Sequence, residues 1–190
     1  STAILADNDI VKVVVTNTTT TCTGSAEETI TVQPLPTPTL GSTATNDEIC
    51  VGDNVTFMAT GGTSYEFFVD AASQGTASAT ATFSTSTLTD GQEVTVKVTN
   101  GNGCSAISTG ITTTVNPLPT VTFSALPTSI CPGENVIFTA GGGDEYEFFV
   151  DGIQAQAQSA TATYAHTATT DGEVISVIGV NTTTGCQGTS

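Results

Sequence analysis

The six residues Tyr65-Glu66-Phe67-Phe68-Val69-Asp70 recur letter for letter as Tyr146-Glu147-Phe148-Phe149-Val150-Asp151. The spacing (146 − 65 = 81) is the length of a small domain. Identity over an aromatic-rich hexapeptide in a Thr/Ser/Gly-rich chain points to tandem copies of one unit. Other segments keep nearly the same step. Val11-Lys12-Val13-Val14-Val15-Thr16-Asn17 matches Val94-Thr95-Val96-Lys97-Val98-Thr99-Asn100, and Pro34-Leu35-Pro36-Thr37 matches Pro117-Leu118-Pro119-Thr120. Three segments follow: 1–36, the tail of a repeat; 37–119, a complete repeat with its proline linker; and 120–190, a repeat lacking its last strand. The first segment is therefore expected to continue a unit that starts before Ser1. Two prolines in four residues favour a semi-rigid extended linker, so the units are expected to be held end to end.

The period restricts the fold to something that closes within about 80 residues. The local pattern then selects β. Val55, Phe57 and Ala59 alternate with Thr56, Met58 and Thr60, and Val94, Val96 and Val98 alternate with Thr95, Lys97 and Thr99. This is the mark of half-buried strands. Gly61-Gly62, Asp90-Gly91 and Asn100-Gly101-Asn102-Gly103 punctuate them. The complete repeat predicts strands near 38–43, 55–60, 65–70, 77–83, 94–99 and 107–115. Such spacing predicts an all-β chain of immunoglobulin-like Greek-key β-sandwich domains.

Charge excludes some functions. Eighteen acidic residues face two basic ones, Lys12 and Lys97, for a net charge of −16. Nucleic acid needs clustered Lys/Arg and is excluded as a partner. No apolar run is long enough for a spanning helix, so no membrane insertion is expected. The acidity reads first as solubility and protection of sheet edges.

The five cysteines follow the repeat. Cys50 and Cys131 precede the Val/Phe strand; Cys22, Cys104 and Cys186 follow the Asn turn. Four cysteines allow three connectivities. Pairing within each repeat keeps the units equivalent and predicts Cys50–Cys104 and Cys131–Cys186, with Cys22 unpaired within the chain and bonding to a residue upstream. Disulfides imply an oxidising, extracellular location.

Catalysis is not expected. His166, the one histidine, has Thr85 as its counterpart and reads as a surface residue. Without a repeated base the many Ser and Thr stay unactivated. No metal site is expected from the cysteines, whose spacing is not that of a zinc site. Calcium is a weaker possibility, from Asp7-Asn8-Asp9 or the repeated Glu66/Glu147 and Asp70/Asp151, but no calcium-loop continuation follows. In the repeated hexapeptide, Tyr65, Phe67 and Val69 share the core face. Glu66, Phe68 and Asp70, with Glu147, Phe149 and Asp151, share the other and are the candidates for contact with a neighbouring repeat, a second copy or a glycan.

The string Ile-Cys-x-Gly-x-x-Val-x-Phe (Ile49–Phe57 and Ile130–Phe138), followed by Gly-Gly, Tyr-Glu-Phe-Phe-Val-Asp, Asp-Gly with a valine strand, Gly-Cys and Asn-Pro-Leu-Pro-Thr, resembles the immunoglobulin-like tandem repeats of giant cell-surface adhesin and gliding-motility proteins of Bacteroidota, exported by type 9 secretion. The resemblance implies a non-enzymatic stalk or filament at the cell surface, self-associating or not, or alternatively a glycan-binding adhesin.

Overall fold

The computed structural model describes residues 4–167 and 171–190. The described residues are almost wholly strands and turns: β1 (Ile10–Thr16), β2 (Thr23–Thr29), β3 (Thr39–Ser42), β4 (Glu48–Cys50), β5 (Val55–Thr60), β6 (Ser64–Val69), β7 (Ala72–Ser73), β8 (Thr82–Thr85), β9 (Glu93–Thr99), β10 (Ser105–Ile107), β11 (Ile111–Thr112), β12 (Thr114–Asn116), β13 (Thr122–Leu126), β14 (Asn135–Gly141), β15 (Glu145–Val150), β16 (Ile153–Ser159), β17 (Thr163–Thr167), β18 (Ile175–Val180) and β19 (Gln187–Thr189). A 3₁₀ turn, Thr45–Asp47, lies between β3 and β4. Among the described residues no helix is long and apolar enough to cross a membrane.

Contacts gather the chain into two compact units. One comprises Ser1–Gly41, Met58–Phe83 and Val94–Gly110; the other comprises Ser42–Phe57, Ser84–Glu93 and Ile111–Ser190. In the first, β1 and β2 form a hairpin, and β10-β9-β6-β7 form an antiparallel sheet. In the second, β13-β14-β17 and β16-β15-β18-β19 form two sheets, and β4 pairs in parallel with β12. The sheet β3-β5-β8 completes the set.

Period-2 alternation decides what is buried. Phe67, Val69, Val94, Val96 and Val98 are buried, and so are Tyr146, Phe148 and Val177. Phe148 sits among Phe123 (ring centroids 6.4 Å) and Tyr164 (5.6 Å), with Ala140 and Val177 in the same cluster. The β1 face is different. Val11, Val13 and Val15 are 47%, 56% and 65% exposed, whereas their counterparts Val94, Val96 and Val98 are 0% exposed.

Two expected strands come out otherwise. The strand expected over 107–115 is broken into β10, β11 and β12. The Ser108 hydroxyl explains part of the break: Val96 N–H donates to Ser108 Oγ at 3.1 Å, while Ser108 N–H donates to Val96 O at 2.9 Å. A side chain thus replaces a ladder carbonyl and interrupts the pairing along β9, which β11 resumes. Ser190 does the same to Val177. The strand expected over 77–83 shrinks to β8, with one isolated bridge between Tyr65 and Ser78. Just before it, where the second repeat carries the seven-residue β16, Ile-Gln-Ala-Gln-Ala-Gln-Ser, the complete repeat has only β7. That alternating run can pair along β15, whereas Ala72-Ser73-Gln74-Gly75 is interrupted by a glycine with no side chain to pack.

The repeated hexapeptide ends in a two-residue hairpin loop each time. Asp70 (φ 48°) and Ala71 (φ 64°) link β6 to β7; Asp151 (φ 49°) and Gly152 (φ 77°) link β15 to β16. Positive φ at both positions is the type I′ geometry that matches strand twist. Alanine holds that conformation at a cost of about 1–2 kcal/mol. Ala71→Gly is therefore expected to stabilise the protein by about 1 kcal/mol in urea titration, because the neighbouring repeat already places glycine there.

Candidate functional site: the linker junctions

The side chains that recur with the period converge on the ends of the strands, beside the two proline linkers. Each cysteine is presented by a small turn of its own. Cys50 N–H donates to Asp53 Oδ2 (3.0 Å), and Cys131 N–H donates to Glu134 Oε2 (2.9 Å). On the other side of each repeat, an asparagine organises the turn before the cysteine. Asn17, Asn100 and Asn181 N–H donate to the carbonyls of Cys22, Cys104 and Cys186 at 2.9, 3.0 and 2.9 Å. The Oδ1 atoms of these asparagines accept from turn amides at 2.9–3.2 Å. Asn and Asp caps of this kind fix turns that tolerate little drift.

The disulfide found is Cys50–Cys186, with Cα atoms 5.6 Å apart and a sequence separation of 136. Cys22, Cys104 and Cys131 are free. This corrects the expected pairing of Cys50 with Cys104 and of Cys131 with Cys186. A bond from each repeat to the next also leaves every repeat equivalent, so equivalence alone could not select the pairing within a repeat. Local geometry selects it. Cys50 ends β4, in register with Asn116 of β12 at the second linker, and Cys186 Sγ lies 3.9 Å from Asn116 O. Cys104 instead lies at the first linker, its Sγ 3.9 Å from Gln33 O. The covalent staple therefore straddles the linker Pro117–Thr120.

Glycines bring the linkers close. A Cβ on Gly61 (φ 103°) would stand 2.3 Å from Thr37 O, and one on Gly142 (φ 89°) would stand 2.0 Å from Thr120 O. Both contacts are against backbone at the same repeat position. The first glycine of each pair is thus required twice over, by conformation and by the approach of the linker carbonyl. Tyr65 Oη then donates to Gly62 O (2.7 Å), and Tyr146 Oη to Gly143 O (2.6 Å), closing the turn from the core strand. At the first linker Asn100 Nδ2 donates to Pro34 O (2.9 Å) and Asn102 Nδ2 to Gln33 Oε1 (2.8 Å).

An acidic clamp holds the segment that leads into each linker. Asp7 Oδ1 accepts from Val32 N–H, and Asp90 Oδ1 accepts from Val115 N–H, each at 3.0 Å. Asp9 Oδ2 accepts from Ala6 N–H at 2.7 Å. The Asp7-Asn8-Asp9 stretch is thus the counterpart of Asp90-Gly91-Gln92, and each of its two carboxylates accepts from a backbone amide. Among the described residues no three His, Cys, Asp or Glu side chains gather as metal ligands.

The outward face of the hexapeptide carries the other candidates. Glu66 lies opposite Lys97, and its carboxylate accepts from Ser73 Oγ at 2.9 Å. Phe68 is half-buried between Thr95 and Ser73. Glu147 accepts from Gln154 Nε2, and Phe149 lies between Ser176 and Gln154. Asp70 and Asp151 are exposed in the hairpin loops, and Asp151 Oδ1 accepts from Val174 N–H at 2.9 Å. The aromatic hollow lies on the opposite face. A cavity of about 200 Å³ is lined by Tyr65, Phe67 and Phe83 with Gln74, Ser78 and Thr80, where the short β7 leaves β6 uncovered. His166 is not the surface residue expected: it stacks on Tyr164 and its Nε2 lies 2.6 Å from Glu173.

Sequence reasoning missed the Asp90 clamp, the Gly-x-x-Tyr turn lock and the hydrogen bonds by which Asn17, Asn100 and Asn181 hold the cysteine carbonyls. All were visible as residues kept at the repeat period. Their roles were hidden because each partner is a backbone atom.

The family described as Ig-like domain CHU_C associated (Ig_7) matches residues 36–117. The chain matches no curated protein sequence. Among solved structures it is similar to the fibronectin(III)-like modules of Clostridium thermocellum CbhA, at 18% identity and TM-score 0.44, over 81% of this chain and 90% of that one. It is also similar to β-glucuronidase 3 of Bacteroides uniformis, at 13% identity and TM-score 0.33, over 80% of this chain and 24% of that one. A third is the amphioxus IgVJ-C2 molecule, at 14% identity and TM-score 0.30, over 75% and 96%. The fold is all-β and immunoglobulin/fibronectin III-like.

Proposed function

We propose that this chain is part of a non-enzymatic, extracellular repeat array that serves as a stalk or filament at the cell surface. The observation that supports this reading is the Cys50–Cys186 disulfide across the Pro117–Thr120 linker. A covalent closure beside a linker transmits load between consecutive repeats and does little for a free-standing binding domain. Its presence also fits an oxidising compartment. The linker carbonyls seated on Gly61 and Gly142 further restrict bending where a flexible tether would swing. The partners of this reading are neighbouring repeats of the same kind and, in a filament, further copies of the chain.

A glycan-binding adhesin is the second reading, and one feature favours it. The hollow beside β6 offers the rings of Tyr65, Phe67 and Phe83 next to the amide of Gln74 and hydroxyls of Ser78 and Thr80, a mixture of apolar faces and hydrogen-bonding groups suited to a sugar. Immunogold electron microscopy of intact source cells, with an antibody against this chain, separates the possibilities. Label along threads or ordered fibres outside the cell is the expected result; label confined to the cell interior sinks the stalk. Binding on a glycan array that Phe83→Ala abolishes would favour the adhesin.

A further inference from the structure

We propose that Cys104 is one half of a second disulfide between repeats, its partner a cysteine in an adjoining repeat joined ahead of β1. The staple seen at the second linker would then recur at the first. The surroundings of Cys104 repeat those of Cys186 atom for atom. Cys186 Sγ stands 3.9 Å from Asn116 O; Cys104 Sγ stands 3.9 Å from Gln33 O. Gln33 is the period counterpart of Asn116 (116 − 33 = 83). The same asparagine turn presents both sulfurs, through Asn100 and Asn181.

The Cys50 side is equally explicit. Cys50 reaches Cys186 because β4 adds in parallel to β12, with Glu48, Ile49 and Cys50 opposite Thr114, Val115 and Asn116. The counterparts of those three positions in the first segment are Thr31, Val32 and Gln33. A strand added there in the same register brings its last residue, a cysteine, beside Gln33 and hence beside Cys104.

A separate observation points to the same occupant. Val11, Val13 and Val15 of β1 are about half exposed, while Val94, Val96 and Val98 at the same repeat positions are fully buried. In the sheet β10-β9-β6-β7, β9 is flanked by β6. The segment that would cover β1 therefore has the pattern of β4 to β6, Ile-Cys-x-Gly-x-x-Val-x-Phe followed by a Tyr-Glu-Phe-Phe-Val strand. It carries the partner cysteine on its leading edge.

Bond formation balances as a thiol–disulfide exchange. One cysteine thiolate attacks an external low-molecular-weight or enzyme-borne disulfide and displaces one of its thiolates. The second cysteine thiolate then attacks the mixed disulfide and releases the other. The two cysteines lose two protons and two electrons, and the external disulfide is reduced to two thiols.

This inference deepens the stalk reading and rests on it only for the oxidising compartment. The test supplies its own oxidant, so the two can fail separately. A second copy of residues 37–92 is joined directly ahead of Ile10, and the chain is refolded with reduced and oxidised glutathione. The disulfides are then mapped by non-reducing peptide mass spectrometry. The expected map has the added Cys50 bonded to Cys104, the original Cys50 bonded to Cys186, and Cys22 and Cys131 alkylated as thiols. A bond from the added Cys50 to Cys22, a bond between Cys104 and Cys131 of two copies, or an alkylated Cys104 overturns the proposal. Should the extended chain not fold, the protein isolated from its source decides. There the Cys104 peptide should be bonded to a cysteine outside this chain's five, and a free Cys104 in that material counts against it.

Discussion

Cys186→Ser lowers the free energy of unfolding by about 5 kcal/mol, the chain-entropy value for a disulfide that spans 136 residues. The loss should show as a lower thermal midpoint by circular dichroism, and dithiothreitol should reproduce it in the unmutated chain. Cys50→Ser should cost a similar amount, and the double variant no more than either alone, because all three delete one bond. Cys22→Ser and Cys131→Ser change exposed residues and should stay within about 0.5 kcal/mol. If Cys104→Ser and Cys131→Ser each gave a large loss instead, the pairing would lie within the repeat after all.

Phe148→Ala is expected to cost about 3–5 kcal/mol, the range for deleting a buried aromatic ring. Phe148 is 0% exposed, and its removal strips ring contacts from both Phe123 and Tyr164. Its neighbour Phe149 provides the control. Phe149 is half-buried on the opposite face of β15, so Phe149→Ala should cost about 1 kcal/mol, in proportion to the smaller area it hides. Urea titration of the two variants measures the difference. Equal losses would mean that the two faces of the repeated hexapeptide are not core and surface.

The hexapeptide was the most legible part of the chain. Alternation placed Tyr65, Phe67 and Val69 inward, and the structure buries Phe67 and Val69 while turning Tyr65 to lock the Gly-Gly turn. The turns at Asp90-Gly91 and Asn100–Gly103 were equally plain, because residues that favour positive φ mark them directly. The strand over 107–115 was misread for a local reason: its breaks come from a serine hydroxyl and an aspartate clamp that take backbone hydrogen bonds, and β-propensity does not register them.

The candidate site was half legible. Period and residue type singled out all five cysteines, the proline linkers and the Gly-Gly pairs. They did not show that these features meet. Gly61-Gly62 read as a strand breaker, yet Gly61, like Gly142 in the next repeat, also makes room for a linker carbonyl. Asp7-Asn8-Asp9 read as an incomplete calcium loop, and the structure adds that Asp7 holds the Val32 amide. In each case the partner is a backbone atom far away in sequence, and backbone atoms leave no signature in residue identity.

By itself, the sequence determined that the chain is built of β-strands on a period of about 80 residues, because strand alternation and turn chemistry are local properties repeated along the chain. Only the tertiary structure decided which cysteines meet. Two pairings are equally periodic, one within a repeat and one between successive repeats. The choice depends on which strand ends lie beside a given linker, and the parallel addition of Glu48–Cys50 to Thr114–Asn116 settles it by bringing Cys50 to Cys186.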